Sequence, residues 1–123
     1  MQYVGTTFSL ILGQLVKVLR DSKTPQMTQS DIAKILDTSV MSVSRLEKGT
    51  SDLSVAELER LSEFFQVPAD KLIKISIEVK SLLIAQKCIV LQDKHQLKKM
   101  KEFKKLDRNI VYELCKKVAT TTL

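Results

Sequence analysis

Residues 27–49 read MTQSDIAKILDTSVMSVSRLEKG, and this stretch decides the fold. Thr28 is a good N-cap, and Asp31 follows three residues later, where a carboxylate completes a capping box or meets the helix dipole. This pairing predicts the start of one short helix, which we expect to end at Asp37. Ser39 is the next N-cap candidate and opens a second short helix. The stretch therefore predicts two short helices joined by a tight turn.

Amphipathic patterns on both sides of this stretch predict further helices. Apolar residues at helical spacing predict a helix over 8–21. Gly49 suits the left-handed position that follows a helix. Ser54 and Glu57 form another capping box, and Pro68 suits the first turn of a fifth helix. The sequence thus predicts an all-α chain whose first domain holds five helices.

The motifs in these helices resemble those of the Cro/C1-type helix-turn-helix family. They are Thr28-Gln29 at the start of the second helix, Ser39 at the cap of the third, the run Arg45-Leu46-Glu47-Lys48-Gly49, and Phe65-Gln66-Val67-Pro68. The resemblance covers about residues 10–74 and implies a lambda-repressor-like DNA-binding domain over 8–74. One position departs from the pattern, because Asp37 stands where the family often has Gly. Aspartate tolerates a left-handed conformation better than most residues, so the turn can form.

The resemblance also implies a set of DNA-contacting residues. The family's glutamine at the start of the second helix bonds a phosphate, and its third helix faces the bases of the major groove. An arginine there can pair with guanine O6 and N7, and apolar side chains can meet thymine methyl groups. The DNA-binding residues implied in this way are Arg20, Gln29, Ser39, Val40, Met41, Ser42, Ser44, Arg45, Lys48 and Thr50.

Several of these residues could instead have a role that does not involve contact with a DNA base. Gln29 could serve only as a polar residue at a helix start. Arg45 could contact a phosphate or pair with a helical neighbour instead of a base. Val40 and Met41 could be apolar because the C-terminal segment covers them.

Residues 75–123 lie outside the resemblance and are predicted to form a helical extension. The stretch 73–80 alternates strictly and is rich in β-branched residues, which is a strand pattern. It also fits a helix, which we favour, with Leu72, Ile75, Val79 and Leu82 on one face. A break is expected at 92–95, followed by a helical stripe of Phe103, Leu106, Ile110, Leu114 and Val118.

This extension is expected to bury its apolar stripes, because large exposed apolar surfaces mark interaction sites. We assign it to dimerisation, since helix-turn-helix proteins usually bind two half-sites as dimers. Docking of another protein is the alternative. A basic run in the extension fits either added phosphate contacts or the solvated face of an amphipathic helix. Its members are Lys94, Lys98, Lys99, Lys101, Lys104, Lys105 and Arg108.

Charge and composition narrow the function classes. Residues 1–67 carry 7 Lys and Arg against 8 Asp and Glu, whereas the remainder carries 13 against 6. Any electrostatic attraction between the predicted DNA-binding domain and DNA must therefore come from the local placement of charge, because the net charge of this part is close to zero. The two cysteines, Cys88 and Cys115, are too widely spaced for a zinc motif and are expected to be buried free thiols. The single histidine, His95, cannot form a metal cluster alone.

These features predict a DNA-binding protein and not an enzyme. The sequence lacks a Gly-rich phosphate loop and any nucleophile–base pattern, and neither a cofactor nor a metal is expected. Its apolar runs are too short for a signal peptide or a membrane span, so a cytoplasmic protein is expected. The favoured function is a transcriptional regulator, a repressor acting as a homodimer on double-stranded DNA. The alternatives are an antitoxin-like or controller protein whose extension binds a partner, and a helix-turn-helix fold used only for protein interaction.

Overall fold

The computed structural model describes residues 3–93, 95–96 and 103–123. The helices are α1 (Phe8–Asp21), α2 (Gln29–Leu36), α3 (Val40–Glu47), α4 (Val55–Phe65), α5 (Ala69–Ala85) and α6 (Arg108–Thr122). The strands are β1 (Tyr3–Thr7), β2 (Ile89–Leu91) and β3 (Phe103–Lys105). The predicted helices over 8–21, 29–36, 40–47 and 55–65 are present, but the predicted five-helix count is not exact, because the fifth helix continues to Ala85 and a sixth follows. The all-α class is not exact, because the chain also contains a small sheet.

This sheet joins the first strand of the chain to two segments near its other end. The strand order is β2-β1-β3, and both outer strands run parallel to β1. Gly5 lies opposite Ile89 on one side and Lys105 on the other. β1 leads directly into α1, since Thr7 ends the strand and its side chain caps the helix by accepting from the Leu10 amide at 3.1 Å. The sheet therefore fixes the start of α1.

The stretch 73–80, which has a strand pattern, lies within helix α5. Its inward side chains follow helical spacing, with Leu72, Ile75, Val79 and Leu83 all at most 1% exposed. Leu82, expected on this face, is instead 39% exposed. The helix continues through the position between residues 74 and 75 at which the sequence suggested a boundary.

Helix α6 lies along α1 and contributes to the same hydrophobic core. Val111 and Cys115 are completely buried, and the Cys115 thiol donates to the Ile11 carbonyl at 3.6 Å. The predicted stripe is wrong in its start and phase. Phe103 belongs to β3, α6 begins only at Arg108, and Ile110 is 46% exposed. Most of the apolar surface of α6 is thus used within the chain.

Both cysteines are free and buried, as predicted. Desolvation raises the pKa of the Cys115 thiol to about 12 and also raises the pKa of Cys88. Of the helices in the described part of the chain, none has the length and apolar character needed to cross a membrane.

Candidate nucleic-acid interface

The turn between α2 and α3 is built by side chains that cap the two helices. The Thr28 hydroxyl accepts from the Asp31 amide at 3.2 Å, and the Asp31 carboxylate accepts from the Thr28 amide at 2.8 Å. Asp37 ends α2 in the left-handed conformation, with φ of 55°. The Ser39 hydroxyl then caps α3 by accepting from the Ser42 amide at 3.1 Å. The predicted caps and the predicted left-handed turn at Asp37 are confirmed.

Helix α3 has one buried face and one exposed face. Val43 and Leu46 point into the core and are 0% and 3% exposed. Val40 and Met41, at the start of the helix, are 47% and 62% exposed. The C-terminal segment as described therefore does not cover them, and burial does not explain their apolar character.

Arg45 lies on the same exposed face as Met41, one helical turn further along. Its guanidinium is 3.2 Å from the Met41 sulfur, which is only a weak acceptor. Thr50 follows the helix, and its hydroxyl donates to the Arg45 carbonyl at 3.1 Å. Among the described residues, both ion pairs involve Arg20, so the Arg45 charge is not neutralised by a carboxylate there. Arg45 is free to meet a ligand.

The hydroxyl groups of Ser39 and Ser42, at the start of α3, already have a hydrogen-bond partner within the protein. The Ser39 and Ser42 hydroxyls lie 2.9 Å apart and bond to each other. Ser44 and Lys48 lie on the side of α3 that faces α1 and α6, where they line a shared cavity. Ser44 and Lys48 follow Val40 by about one and two helical turns along the chain.

A buried carboxylate joins the three helices around this motif. Glu47 is 4% exposed and accepts two hydrogen bonds from the Arg20 guanidinium, at 2.7 and 2.9 Å. It also accepts from the Gln29 amide at 3.1 Å. These bonds to Glu47 raise the pKa of Arg20 above its ordinary value, against the opposing effect of burial. Arg20 is therefore held by Glu47, and Gln29 is fixed at the first position of α2.

Sequence reasoning placed Arg20 and Gln29 in the site but missed Glu47, which holds them. One signal was present. Glu47 is four residues after Val43, so helical periodicity places both on the inner face of α3. A charged side chain on an inner face needs a buried partner, because an unpaired buried charge is costly.

Helices α1 and α3 pack closely at Gly13, and this contact fixes the orientation of α3 relative to α1. A side chain at Gly13 would overlap the carbonyl oxygen of Leu46, so only glycine fits there. The adjacent Gln14, which is 2% exposed, donates to the Glu47 carbonyl at 2.5 Å. Backbone and side-chain contacts together seat α3 against α1.

The predicted DNA-binding residues fall into two neighbouring groups. The first group is the exposed start and face of α3, with Ser39, Val40, Met41, Ser42, Arg45 and, just beyond the helix, Thr50. The second lies where α3 meets α1 and α2, with Arg20, Gln29, Ser44 and Lys48. Of the predicted basic run, Lys94, Lys98, Lys99 and Lys101 lie outside the described residues, and Lys104 and Lys105 are exposed on β3.

The helix-turn-helix family model matches residues 26–72. The match begins just before α2 and ends in the first turn of α5, so it contains the turn, α3 and α4. The predicted resemblance is confirmed over this segment, which is less than half of the chain. No curated protein and no solved structure matches the chain. The family match supports a DNA-binding regulator of the helix-turn-helix class.

Proposed function

Because residues 26–72 form a domain of the helix-turn-helix family, we propose that this chain is a sequence-specific transcriptional regulator that binds double-stranded DNA. The observation that carries the proposal is the exposed face of α3. It presents two apolar side chains, Val40 and Met41, and one cation, Arg45, that has no carboxylate partner among the described residues. A solvated helix face rarely needs such residues, whereas the floor of the major groove offers a partner to each of them.

In this account each residue of α3 has a separate role. The Arg45 guanidinium forms two hydrogen bonds to O6 and N7 of a guanine, in place of its weak contact with the Met41 sulfur. Val40 and Met41 pack against thymine methyl groups. Gln29 and the amides at the start of α2 bond a backbone phosphate, which fixes the register of α3 in the groove.

The chain acts as a homodimer in this proposal, and α5 supplies the interface. Its outer side carries an apolar stripe of Ile73, Ile77 and Ile84, which are 41%, 50% and 51% exposed. Val111, Cys115 and Val118 of α6 are buried inside the chain, whereas the α5 stripe places three exposed isoleucines on one helix face that a second copy could cover. A dimer of two such domains reads an inverted repeat, and its occupancy of a promoter represses transcription by occlusion.

Ile77→Lys tests the interface, because it places a charge in the middle of the stripe. Sedimentation equilibrium should show a dimer for the natural chain and a monomer for this variant. Glu78→Lys also places a lysine at an exposed position of α5, but about 100° around the helix from Ile77. It is the matched control and should leave the dimer intact. A natural chain that is monomeric at all concentrations tested would contradict the homodimer and leave the stripe to a protein partner.

The DNA-binding function is tested by selection from a random double-stranded library at fixed salt. Enrichment of an inverted repeat, with half-sites about one helical turn apart, is the expected result. If a folded sample enriches no sequence, the regulator proposal is wrong. A helix-turn-helix fold used for protein interaction would then be favoured.

A further inference from the structure

A cationic cavity lies beside α3, between α1 and the start of α6. Its volume is about 210 Å³, far above the roughly 10–15 Å³ that a single water needs. Four of its lining side chains are cations, namely Lys17, Arg20, Lys48 and Arg108, and one is a carboxylate, Glu47. The remaining lining residues are neutral. The cavity therefore has room and charge for an anion.

Only one of the four cations is neutralised in the described part of the chain. Arg20 is paired with Glu47 at 2.7 Å, and the other described ion pair, to Asp21, is also formed by Arg20. The Lys17 ammonium lies 4.5 Å above the Tyr112 ring, a contact that leaves its charge in place. Lys48 and Arg108 are exposed. The three other cations that line this cavity have no carboxylate partner among the described residues. Like charges on the walls of one cavity repel each other, and a bound anion would offset this repulsion.

Among the four cations that line the cavity, Arg108 stands at a position where its charge does not stabilise its own helix. It is the first residue of α6, where the helix dipole is positive and a cation is unfavourable. The helix has no acidic residue in its first turn, although Asp107 caps it. The sequence thus places a positive charge at the end of the helix that disfavours it, in the lining of a cavity that also includes Lys17 and Lys48.

The position of the cavity indicates which anion it holds. Gln29, Ser44 and Lys48 line it, and these residues border the start of α2 and the exposed face of α3. A DNA duplex read by α3 would place its sugar–phosphate backbone along this border. Residues 1–67 are almost neutral overall, so Arg108, which lies outside them, would supply positive charge that they lack.

We propose that this cavity binds a phosphate group of the DNA backbone, with Lys17, Lys48 and Arg108 as its cations. The inference rests on the proposed DNA-binding function and extends it to α6, which lies outside the family match. The chemistry recognised is a phosphate oxyanion, and it could also be satisfied by free phosphate. The C-terminal helix is then part of the DNA-binding surface as well as of the core.

The test compares Arg108→Gln with Lys117→Gln. Both variants remove one positive charge from an exposed position of α6, but only Arg108 lines the cavity. DNA affinity is measured by fluorescence anisotropy over a series of salt concentrations, on a selected site and on a random duplex. Arg108→Gln should lower the salt slope by about 0.9, the value for one lost phosphate contact. Between about 50 mM and about 200 mM salt this is roughly a 3.5-fold smaller loss of affinity. Lys117→Gln should keep the natural slope.

Equal slopes for the two variants would overturn the proposal, because the charge at Arg108 would then act only through the net charge. A second arm separates this failure from a failure of DNA binding itself. Inorganic phosphate is titrated against chloride at equal ionic strength, and the amide signals of Lys17, Gln29 and Asn109 are followed by NMR. If the natural chain binds no DNA, phosphate shifts that Arg108→Gln abolishes would support the cavity as a site for free phosphate. Unchanged signals in that case would overturn it.

Discussion

Replacing Glu47 by alanine removes a buried carboxylate that connects α1, α2 and α3. Arg20 loses two charged hydrogen bonds, of 2.7 and 2.9 Å, and Gln29 loses one of 3.1 Å. The Arg20 guanidinium stays largely buried, with 13% of its side chain exposed. The variant therefore leaves a buried cation with weaker partners, which is more costly than the loss of the contact alone.

The structure sets the size of this effect. Removing one partner of a buried ion pair costs about 3–5 kcal/mol. The lower end applies here, because Arg20 retains Asp21 at 3.3 Å and some contact with water. With an unfolding entropy of about 2.1 cal/mol/K per residue and 123 residues, a loss of about 3 kcal/mol lowers the melting temperature by about 12 °C.

Urea unfolding followed by circular dichroism measures this loss directly. Glu63→Ala removes an exposed carboxylate of α4 and should change the free energy of unfolding by less than about 0.5 kcal/mol. The double variant Arg20→Met, Glu47→Met should recover much of the stability, because replacing both charges leaves none buried alone. A cost below about 1 kcal/mol for Glu47→Ala, as found for exposed pairs, would contradict a buried ion pair between Glu47 and Arg20.

Three further predictions concern the core and its edge. Gly13→Ala should destabilise the protein by about 3 kcal/mol, because the new methyl group overlaps the Leu46 carbonyl oxygen; an unchanged urea midpoint would contradict the close approach of α1 and α3. A thiol reagent should modify Cys115 only after unfolding, since the thiol is 0% exposed and its pKa is about 12; rapid modification of the native protein would be inconsistent with this packing. Burial opposes ionisation of Asp21, but hydrogen bonds from Gln26 and Tyr112 outweigh it and lower its pKa. The stability that this carboxylate contributes is present above its unfolded pKa and is lost as pH falls through its folded pKa. Urea unfolding at a series of pH values should therefore show that the free energies of unfolding of the natural chain and of Asp21→Asn become equal in acid.

Local signals made the first five helices predictable from the sequence. The caps at Thr28, Ser39 and Ser54 each involve residues three apart, so the sequence alone shows them. The left-handed turn at Asp37 also follows from local chemistry, because few residue types tolerate it. These signals depend on neighbours along the chain, which explains why they are reliable.

The sheet could not be predicted in the same way. β1 pairs with β2 and β3 over separations of more than 80 residues, and β2 and β3 have three residues each. Strands this short carry little pattern, and a parallel partner far along the chain leaves no local signal. The strongest alternating stretch, 73–80, instead became part of α5, because its helical face had a core to pack against.

The stripe of α6 was misplaced for a related reason. Phe103 and Leu106 set the phase of the predicted helix, but both precede its first residue. Once α6 starts at Arg108, its buried residues are Val111, Cys115, Val118 and Ala119. Glu47 was missed as a connecting residue because its partners, Arg20 and Gln29, lie 27 and 18 residues away.

A double-mutant cycle that combines a change of Arg45 with a change of the DNA base tests whether the Arg45 guanidinium contacts a guanine. Arg45→Ala and the natural chain are each titrated with a selected DNA site and with the same site after its contacted guanine is replaced by adenine, at fixed salt. Lys34→Ala, which removes an exposed cation of α2, is the control and should bind both sites with the natural preference. The natural chain should discriminate between the two sites by about 1–3 kcal/mol, and Arg45→Ala should bind both sites equally. A uniform loss of affinity with the preference for guanine intact would contradict the contact with guanine and make Arg45 a phosphate contact.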